Sequence, residues 1–415
     1  MRRILLLIPA TSYRATAFIE AARAIGVDIT VGSNHKSTLA EMNPAGFLSL
    51  DIGDIPRAVE TARSFSRTYP MEAVVGVDDQ SVITASAIAE ELNLPHNTII
   101  SVTAACNKYI MREFLSQHNI PQPNYRKVSI DEPLENIESM VTYPTVLKPV
   151  TLSGSRGVVK VTDRKELHDA VSLIRKIVHK LDSTGVTQEA RSILIEEYIE
   201  GDEVAVEGLL HEDYLQALAL FDKPDPLRGP YFEETIYTTP SRLSDSMQSE
   251  IFEVVKNAAR ALKLVRGPVH AEVRFNAGGV YLIELAARSI GGYCARVLRF
   301  EDPETDTTNI SLEELILRDA LREPVQSFRR EEHAAGVMMI PVPGRGVVKD
   351  VYGREEAMKV TYITDVIITA TRGEEIIPLP EGGKYPGFIF ARADNPAGVE
   401  QALRRAHSLL RFELG

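Results

Sequence analysis

The stretch Leu147–Val161, "LKPVTLSGSRGVVKV", places Lys148 near the end of an apolar run. A loop of Ser153, Gly154, Ser155, Arg156 and Gly157 follows. The pattern predicts a strand, a small-residue loop and a second strand. Small residues let a backbone turn tightly and come close to a ligand. Consecutive outward N–H groups can form an anion-binding nest, beside which Lys148 adds a point charge. An ordinary hairpin closed by a glycine turn gives the same pattern. On this stretch alone both readings stay open.

Upstream, residues 1 to about 100 alternate apolar runs with helical segments. "RILLLIP", "DITVGS" and "EAVVGVDD" read as strands, "ATAFIEAARAIG" and "SVITASAIAEELNL" as helices, which predicts a parallel α/β unit. The turn after the first strand, "PATSYRA", has no glycine, so the fingerprint of a dinucleotide-binding fold is missing. No G-x-x-x-x-G-K-[ST] occurs anywhere, which excludes a P-loop nucleotidase. "AACNKYIMREFLSQHNIP" reads as one helix ending before Pro121, and "DRKELHDAVSLIRKIVHKL" as an amphipathic helix after the opening stretch. Residues from about 191 to 325 are strand-rich. The last part has short strands among glycine and proline and finishes in a helix at "NPAGVEQALRRAHSLL".

The chain has 415 residues, too many for one ordinary core. Its 44% apolar and 25% charged content is that of a soluble globular protein. Forty-six Lys plus Arg against 58 Asp plus Glu give a net charge of −12, which disfavours nucleic acid as the partner. Cys106 and Cys294 have no metal-ligand spacing and are too few for a disulfide framework. The apolar run Ile4–Ile8 is too short for a signal peptide, and no run approaches a membrane span. A cytoplasmic protein is expected, with no membrane partner and with a homodimer left open.

Four features follow one another in an order that makes chemical sense. Lys108 opens a helix and Lys148 precedes the glycine loop. "EEYIEGDE" supplies Glu196, Glu197, Tyr198, Ile199 and Glu203. "HAEVRF" and "LIELAARSIGG" supply His270, Glu272, Glu284, Arg288, Gly291 and Gly292. Two lysines and a nest suit a polyphosphate, and two carboxylates suit the magnesium that accompanies it. Glu284 lies between "VYLI" and "LAA", where an unpaired carboxylate would be costly, although an edge-strand face stays an alternative. His270 and Glu272 spell H-x-E, but no P-C-x-x-C follows, which argues against a zinc deaminase. "GPYFEETIYTTP", residues 229–240, is either part of an amino-acid site containing Glu234 or a hairpin with an acidic solvent face.

This order of residues resembles the ATP-grasp superfamily, and within it the carboxylate–amine ligases such as bacterial L-amino-acid ligases, over nearly the whole chain. The resemblance implies a pre-ATP-grasp α/β domain over 1–103 and ATP-grasp subdomains over 104–190 and 191–328. A small C-terminal α+β domain over 329–415 completes the chain. It further implies ATP and Mg²⁺ (or Mn²⁺) as cofactors and small carboxylate and amine substrates. Lys108 and Lys148 would be the phosphate-binding lysines and Ser153–Gly157 the phosphate lid. Glu196 would take the adenine amino group, Glu197, Tyr198 and Ile199 would line the base, and Glu203 would hold the ribose. Glu272 and Glu284 would be metal ligands. Arg288, with Lys148, would serve catalysis, and Glu234, His270, Gly291 and Gly292 the substrate. Family members often carry E-x-N-x-R at the second metal-binding glutamate. Here the middle position is Ala286, so a second metal would lean on Glu284 and on phosphate oxygens. Two other activities share the pattern: a biotin-carboxylase-like carboxylase, and an ATP-binding sensor without turnover.

Overall fold

Arg3–Leu7 is the centre of a four-stranded parallel sheet, in the order Phe47–Ser49, Asp28–Ser33, Arg3–Leu7, Ala73–Gly76. A continuous apolar strand of this kind needs cover on both faces. Ile4 and Leu6 pack with Phe18 of the helix Ala15–Ala24 and with Leu315 of the helix Leu312–Ala320. Leu5 and Leu7 pack with Ala58 of Ile55–Ser66 and Ile88 of Asp79–Glu91. The first core therefore already joins the N-terminal sheet to residues three hundred positions away.

The computed structural model describes residues 2–9, 12, 14–34, 43–182, 191–212 and 214–415. Ala10, Thr11 and Tyr13 of the glycine-free turn lie outside the described residues. So do Asp213, at the end of a predicted strand, and 183–190, where the sequence divides the second and third units. No helix among the described residues is long and apolar enough to cross a membrane.

A second sheet is antiparallel, in the order Tyr125–Ser129, Ser192–Glu197, Thr145–Pro149, Val159–Val161. The helix Arg164–Asp182 covers it through Leu167, Val171, Ile174 and Val178, spaced as one helical face requires. The opening stretch is thus a strand, loop and strand paired Thr145↔Val161 to Leu147↔Val159.

The third sheet has eight antiparallel strands. Its order is Gly279–Ala286, Arg266–Asn276, Asp202–His211, Tyr214–Asp222, Ile236–Thr239, Ala334–Met339, Gly387–Ala393, Ile363–Ile368. It runs unbroken from the strand-rich region into the C-terminal segment. There the helix Pro396–His407 packs Val399, Leu403 and Ala406 onto it.

Two local readings change. The single helix expected over 104–120 is two, Ile99–Cys106 and Lys108–Gln117. Asn107 separates them with non-helical dihedrals, and its side-chain oxygen accepts the N–H groups of Tyr109 and Ile110 at 3.0 and 3.2 Å. Asn competes well as an N-cap, which a pattern of apolar spacing does not register. Residues 229–240 are not a solvent-facing hairpin. Ile236–Thr239 is an interior strand between Tyr214–Asp222 and Ala334–Met339, with Tyr237 2% exposed.

Candidate active site

The cleft between the second and third sheets encloses ≈ 630 Å³ measured to its open mouth, within the range of small-molecule sites. Lys108, Lys148, Ser153, Gly154, Ser155, Glu196, Glu197, Tyr198, Ile199, Glu203 and Glu284 all line it, although they are spread over 177 positions of the chain. Gly157, Glu234, His270, Glu272, Arg288, Gly291 and Gly292 are not on its wall.

Lys108 is not a solvated helix charge. It is 8% exposed, and its Nζ donates to Leu152 O at 2.7 Å and to Glu284 Oε1 at 3.3 Å. Lys148 projects from the strand Thr145–Pro149, and its Nζ lies 2.5 Å from Glu196 Oε2. Arg112 Nε donates to the other oxygen of Glu196 at 2.7 Å. Burial alone would raise the Glu196 carboxyl, but Arg112 and Lys148 outweigh it and hold the group at about 2. Glu196 therefore anchors two cations and fixes Lys148 at the mouth of the loop.

Within that loop Gly154 and Ser155 both have positive φ, at 65° and 55°. The Gly157 N–H, however, donates to Pro380 O at 2.9 Å, and the Val158 N–H to Ser155 O at 3.2 Å. The anion nest expected over the whole loop is narrower than that, because its C-terminal end is tied to the C-terminal segment.

Tyr198 and Phe232 stack at 6.5 Å, with Lys160 Nζ 3.8 Å from the Tyr198 ring centroid and Arg274 Cζ 5.1 Å from it. Such an apolar, cation-flanked slot suits a flat heteroaromatic ring. Glu197 accepts from Asn124 Nδ2 at 2.7 Å, and Ile199 O accepts from Arg274 at 2.8 Å.

The register of the third sheet explains most of what remains. Along Arg266–Asn276, His270, Glu272 and Arg274 alternate with the core residues Val269, Ala271 and Val273. On the neighbouring strand their Cα partners are Glu207, Ala205 and Glu203. On the other side Glu272 faces Glu284 and His270 faces Ala286. Arg274 accordingly donates to Glu203 at 2.7 Å. His270 Nδ1 stands 3.5 Å from Glu207 Oε2, which also accepts the Ile290 N–H at 3.0 Å. Glu207 is fully buried, and burial pushes its carboxyl up despite His270.

The two expected metal ligands are cross-strand neighbours, but each is held by a lysine. Glu284 is held by Lys108, as described. Glu272 meets Lys223 Nζ at 3.3 Å, and that ammonium also lies 2.7 Å from both Glu203 and Glu234. Burial would pull Lys223 down, but the three carboxylates raise it well above its usual range. Oxygen atoms of Glu203, Glu234 and Glu272 lie within 4.8 Å of one another, a set able to hold a cation, and Lys223 occupies it. Carboxylate oxygens are the hard donors that Mg²⁺ or Mn²⁺ takes. A lysine on a flexible stem can withdraw to a phosphate oxygen. Glu272 and Glu284, oxygen donors on neighbouring strands, are of the kind that ion takes.

Arg288 lies beyond the cleft wall and donates to both oxygens of Asp79, at 2.7 and 3.0 Å. Glu234 accepts from Lys223 and from the Tyr237 hydroxyl. Gly292 has φ 59°, and a Cβ there would lie 2.8 Å from Met339 Sδ.

Sequence reasoning missed Arg112, Lys223, Arg274, Glu207 and Asp79. Two of them left a signal: Arg112 is four residues after Lys108 on one helical face, and Arg274 is two residues after Glu272 on one strand face. Lys223, one lysine between "LALFD" and a proline, left none.

Comparison with known proteins adds three family matches: an ATP-grasp domain over residues 141–297, an ATP-grasp N-terminal domain over 19–96, and an L-amino acid ligase C-terminal domain 2 over 338–415. Dapdiamide A synthase of Enterobacter agglomerans is 25% identical over 83% of this chain and 80% of its own. The crystal structure of an L-amino acid ligase from Bacillus licheniformis superposes with a TM-score of 0.80 at 26% identity, covering 100% of this chain and 99% of that one. Carboxyaminoimidazole ribonucleotide synthase from Aspergillus clavatus, complexed with ATP, shares the fold at a TM-score of 0.71 and 16% identity, over 98% of each chain.

Proposed function

The chain belongs to the ATP-grasp superfamily, and from that membership we propose that it is a carboxylate–amine ligase. In this reading it joins two amino acids, or an amino-acid-like acid and amine, through an acyl phosphate, with release of ADP and phosphate. The observation that carries this reading is the convergence of Lys108, Lys148 and Glu284, from separate elements, on one cleft.

ATP lies with its base against Tyr198, Ile199 and Phe232 and its phosphates toward Lys148, Lys108 and the 153–157 loop. Glu196 keeps Lys148 in place, while Glu203 sits at the height of the ribose. Glu272 and Glu284 would hold Mg²⁺ or Mn²⁺, which supplies charge neutralisation of the phosphates. The chain's own part is positioning and the exclusion of water. Lys148 and Lys108 draw the phosphates into line, the loop closes over them, and Arg288 balances the negative charge that develops as the carboxylate attacks and again as the amine adds. His270, Glu234, Gly291 and Gly292 border the space left for the two substrates. Four units with boundaries at 103, 190 and 328, and a cytoplasmic location without a nucleic-acid or membrane partner, complete the reading.

Phosphate release, screened over pairs of amino acids with ATP and magnesium, tests it. ADP and phosphate that depend on both an acid and an amine support the ligase. Dependence on bicarbonate alone makes the protein a carboxylase, and ATP binding without turnover for any pair makes it a sensor.

A further inference from the structure

Two arginines stitch the N-terminal sheet to the loop after Glu284, one from each side. Arg288 Nε and one Nη donate to the two oxygens of Asp79, at 2.7 and 3.0 Å. Arg14 returns the connection, donating to Val77 O at 2.8 Å and to the Ser289 hydroxyl. The segments carrying Asp79 and Arg288 are thus bridged twice within two residues of the pair.

We propose that Asp79 is a positioning residue for the reaction, setting the plane and direction of the Arg288 guanidinium toward the acyl phosphate; this rests on the ligase reading above. A carboxylate that accepts two parallel N–H groups fixes both the rotation and the tilt of a guanidinium, which a single contact does not. The second Nη donates to Ser289 O at 3.2 Å. Of five guanidinium N–H groups, this leaves one on each Nη for a substrate anion.

The backbone under Asp79 is built to be stiff. Asp79 opens the helix Asp79–Glu91, whose cap is a reciprocal pair: the Asp78 side chain accepts the Ser81 N–H, and the Ser81 hydroxyl accepts the Asp78 N–H. Gly76, at the end of the preceding strand, lets that helix come close, because a Cβ there would lie 2.7 Å from Val82 Cα. The Arg288 and Asp79 side chains are only 16% and 27% exposed, so the pair is partly shielded from the screening that makes exposed ion pairs weak. Rigid support of this kind matters for a transition state, where an error of about 1 Å can cost about 100-fold in rate. The N-terminal domain then belongs to the reaction centre as well as to the scaffold.

The test is a cycle of Asp79→Asn, Arg288→Ala and the double variant, measured as kcat and KM with a competent acid–amine pair. Asp79→Asn is expected to lower kcat by about 10- to 100-fold with KM for ATP little changed. The double variant should be no slower than Arg288→Ala alone, because Asp79 acts only through Arg288. If Asp79→Asn lowers the melting temperature but not kcat, or if the two losses multiply, Asp79 is a tether and the proposal is overturned. A second readout needs no turnover. The Nε–H resonance of Arg288, assigned by its loss in Arg288→Ala, should shift and exchange faster in Asp79→Asn, where one neutral oxygen replaces a two-oxygen acceptor. A resonance unchanged in position and exchange also overturns the proposal. A parent enzyme inactive with every pair, but with that resonance intact, sinks the ligase reading and the catalytic half of this proposal with it.

Discussion

The Lys148 ammonium lies 2.5 Å from the Glu196 carboxylate, and neither residue is as much as a tenth exposed. A buried carboxylate left alone would neutralise itself. With Arg112 on its other oxygen it stays charged, and the strand that buries Ile193, Leu194 and Ile195 carries a fixed anion to the edge of the cleft. The same anion holds Lys148 in one place, ready for the phosphate that the proposed function puts there.

Removing that lysine should therefore weaken ATP binding while leaving the fold intact, since Arg112 still satisfies Glu196. Lys148→Ala is expected to cost about 2–5 kcal/mol of ATP affinity, as truncation of a buried, hydrogen-bonded charge pair does. Titration calorimetry reads it directly. Unchanged affinity in a folded variant would place the nucleotide elsewhere.

The Glu196 cluster also sets a pH dependence. Its folded value, about 2, lies below the ordinary carboxylate value of 4.5. Its contribution is thus complete above about pH 4.5 and is lost as pH falls through about 2, and a shift of that size corresponds to ~3 kcal/mol. Glu196→Gln leaves Lys148 and Arg112 without their anion and should be less stable than the parent by about that much at neutral pH. The gap should close toward pH 2. Denaturant unfolding of both proteins across pH checks this, and a gap independent of pH would show that the carboxylate is not charged in the native state.

How much of this was legible in the sequence depends on range. The strand, loop and strand of the opening stretch is a local pattern, as are the parallel strands of the first hundred residues, and both are read from apolar spacing. Glu284 stood out because a carboxylate inside an apolar strand demands a partner, and Glu272 because a second carboxylate nearby suits the same ion. The partner itself was invisible, because Lys223 and Lys108 reach those carboxylates only once the sheet register has formed. The break at Asn107 was hidden by a helix pattern that continues on both sides of it. The tie from Gly157 to Pro380 joins positions 223 residues apart, and no spacing rule reaches that far.

That tie shapes the next prediction. Lys160 N–H donates to Pro230 O at 2.8 Å, and Gly383 lies against the Arg156 side chain, so the loop is anchored from Arg156 onward. Closure over phosphates then falls to Ser153, Gly154 and Ser155. A protease of low sequence specificity should cut within Ser153–Ser155 in the free protein and much more slowly with an ATP analogue and magnesium. Equal cleavage in both states would make the loop a passive hairpin.

The reaction itself is tested where Glu272, Glu284 and Arg288 would act on one intermediate. With ATP, magnesium and the right carboxylate, the enzyme should form an acyl phosphate that hydroxylamine intercepts as a hydroxamate. Glu284→Gln is nearly isosteric and keeps an acceptor for Lys108, so the fold should survive, but a charged metal ligand is gone and both hydroxamate and phosphate release should vanish. Arg288→Ala should lower turnover far more than ATP affinity, because its charge counts most as the transition state forms. AMP and pyrophosphate as products would mean adenylation and end the acyl-phosphate reading. Full activity in Glu284→Gln would instead move the metal toward Glu203, Glu234 and Glu272, where Lys223 now stands. Joint loss of ADP, phosphate and hydroxamate in Glu284→Gln is the expected result, since all three depend on one transfer at one carboxylate pair.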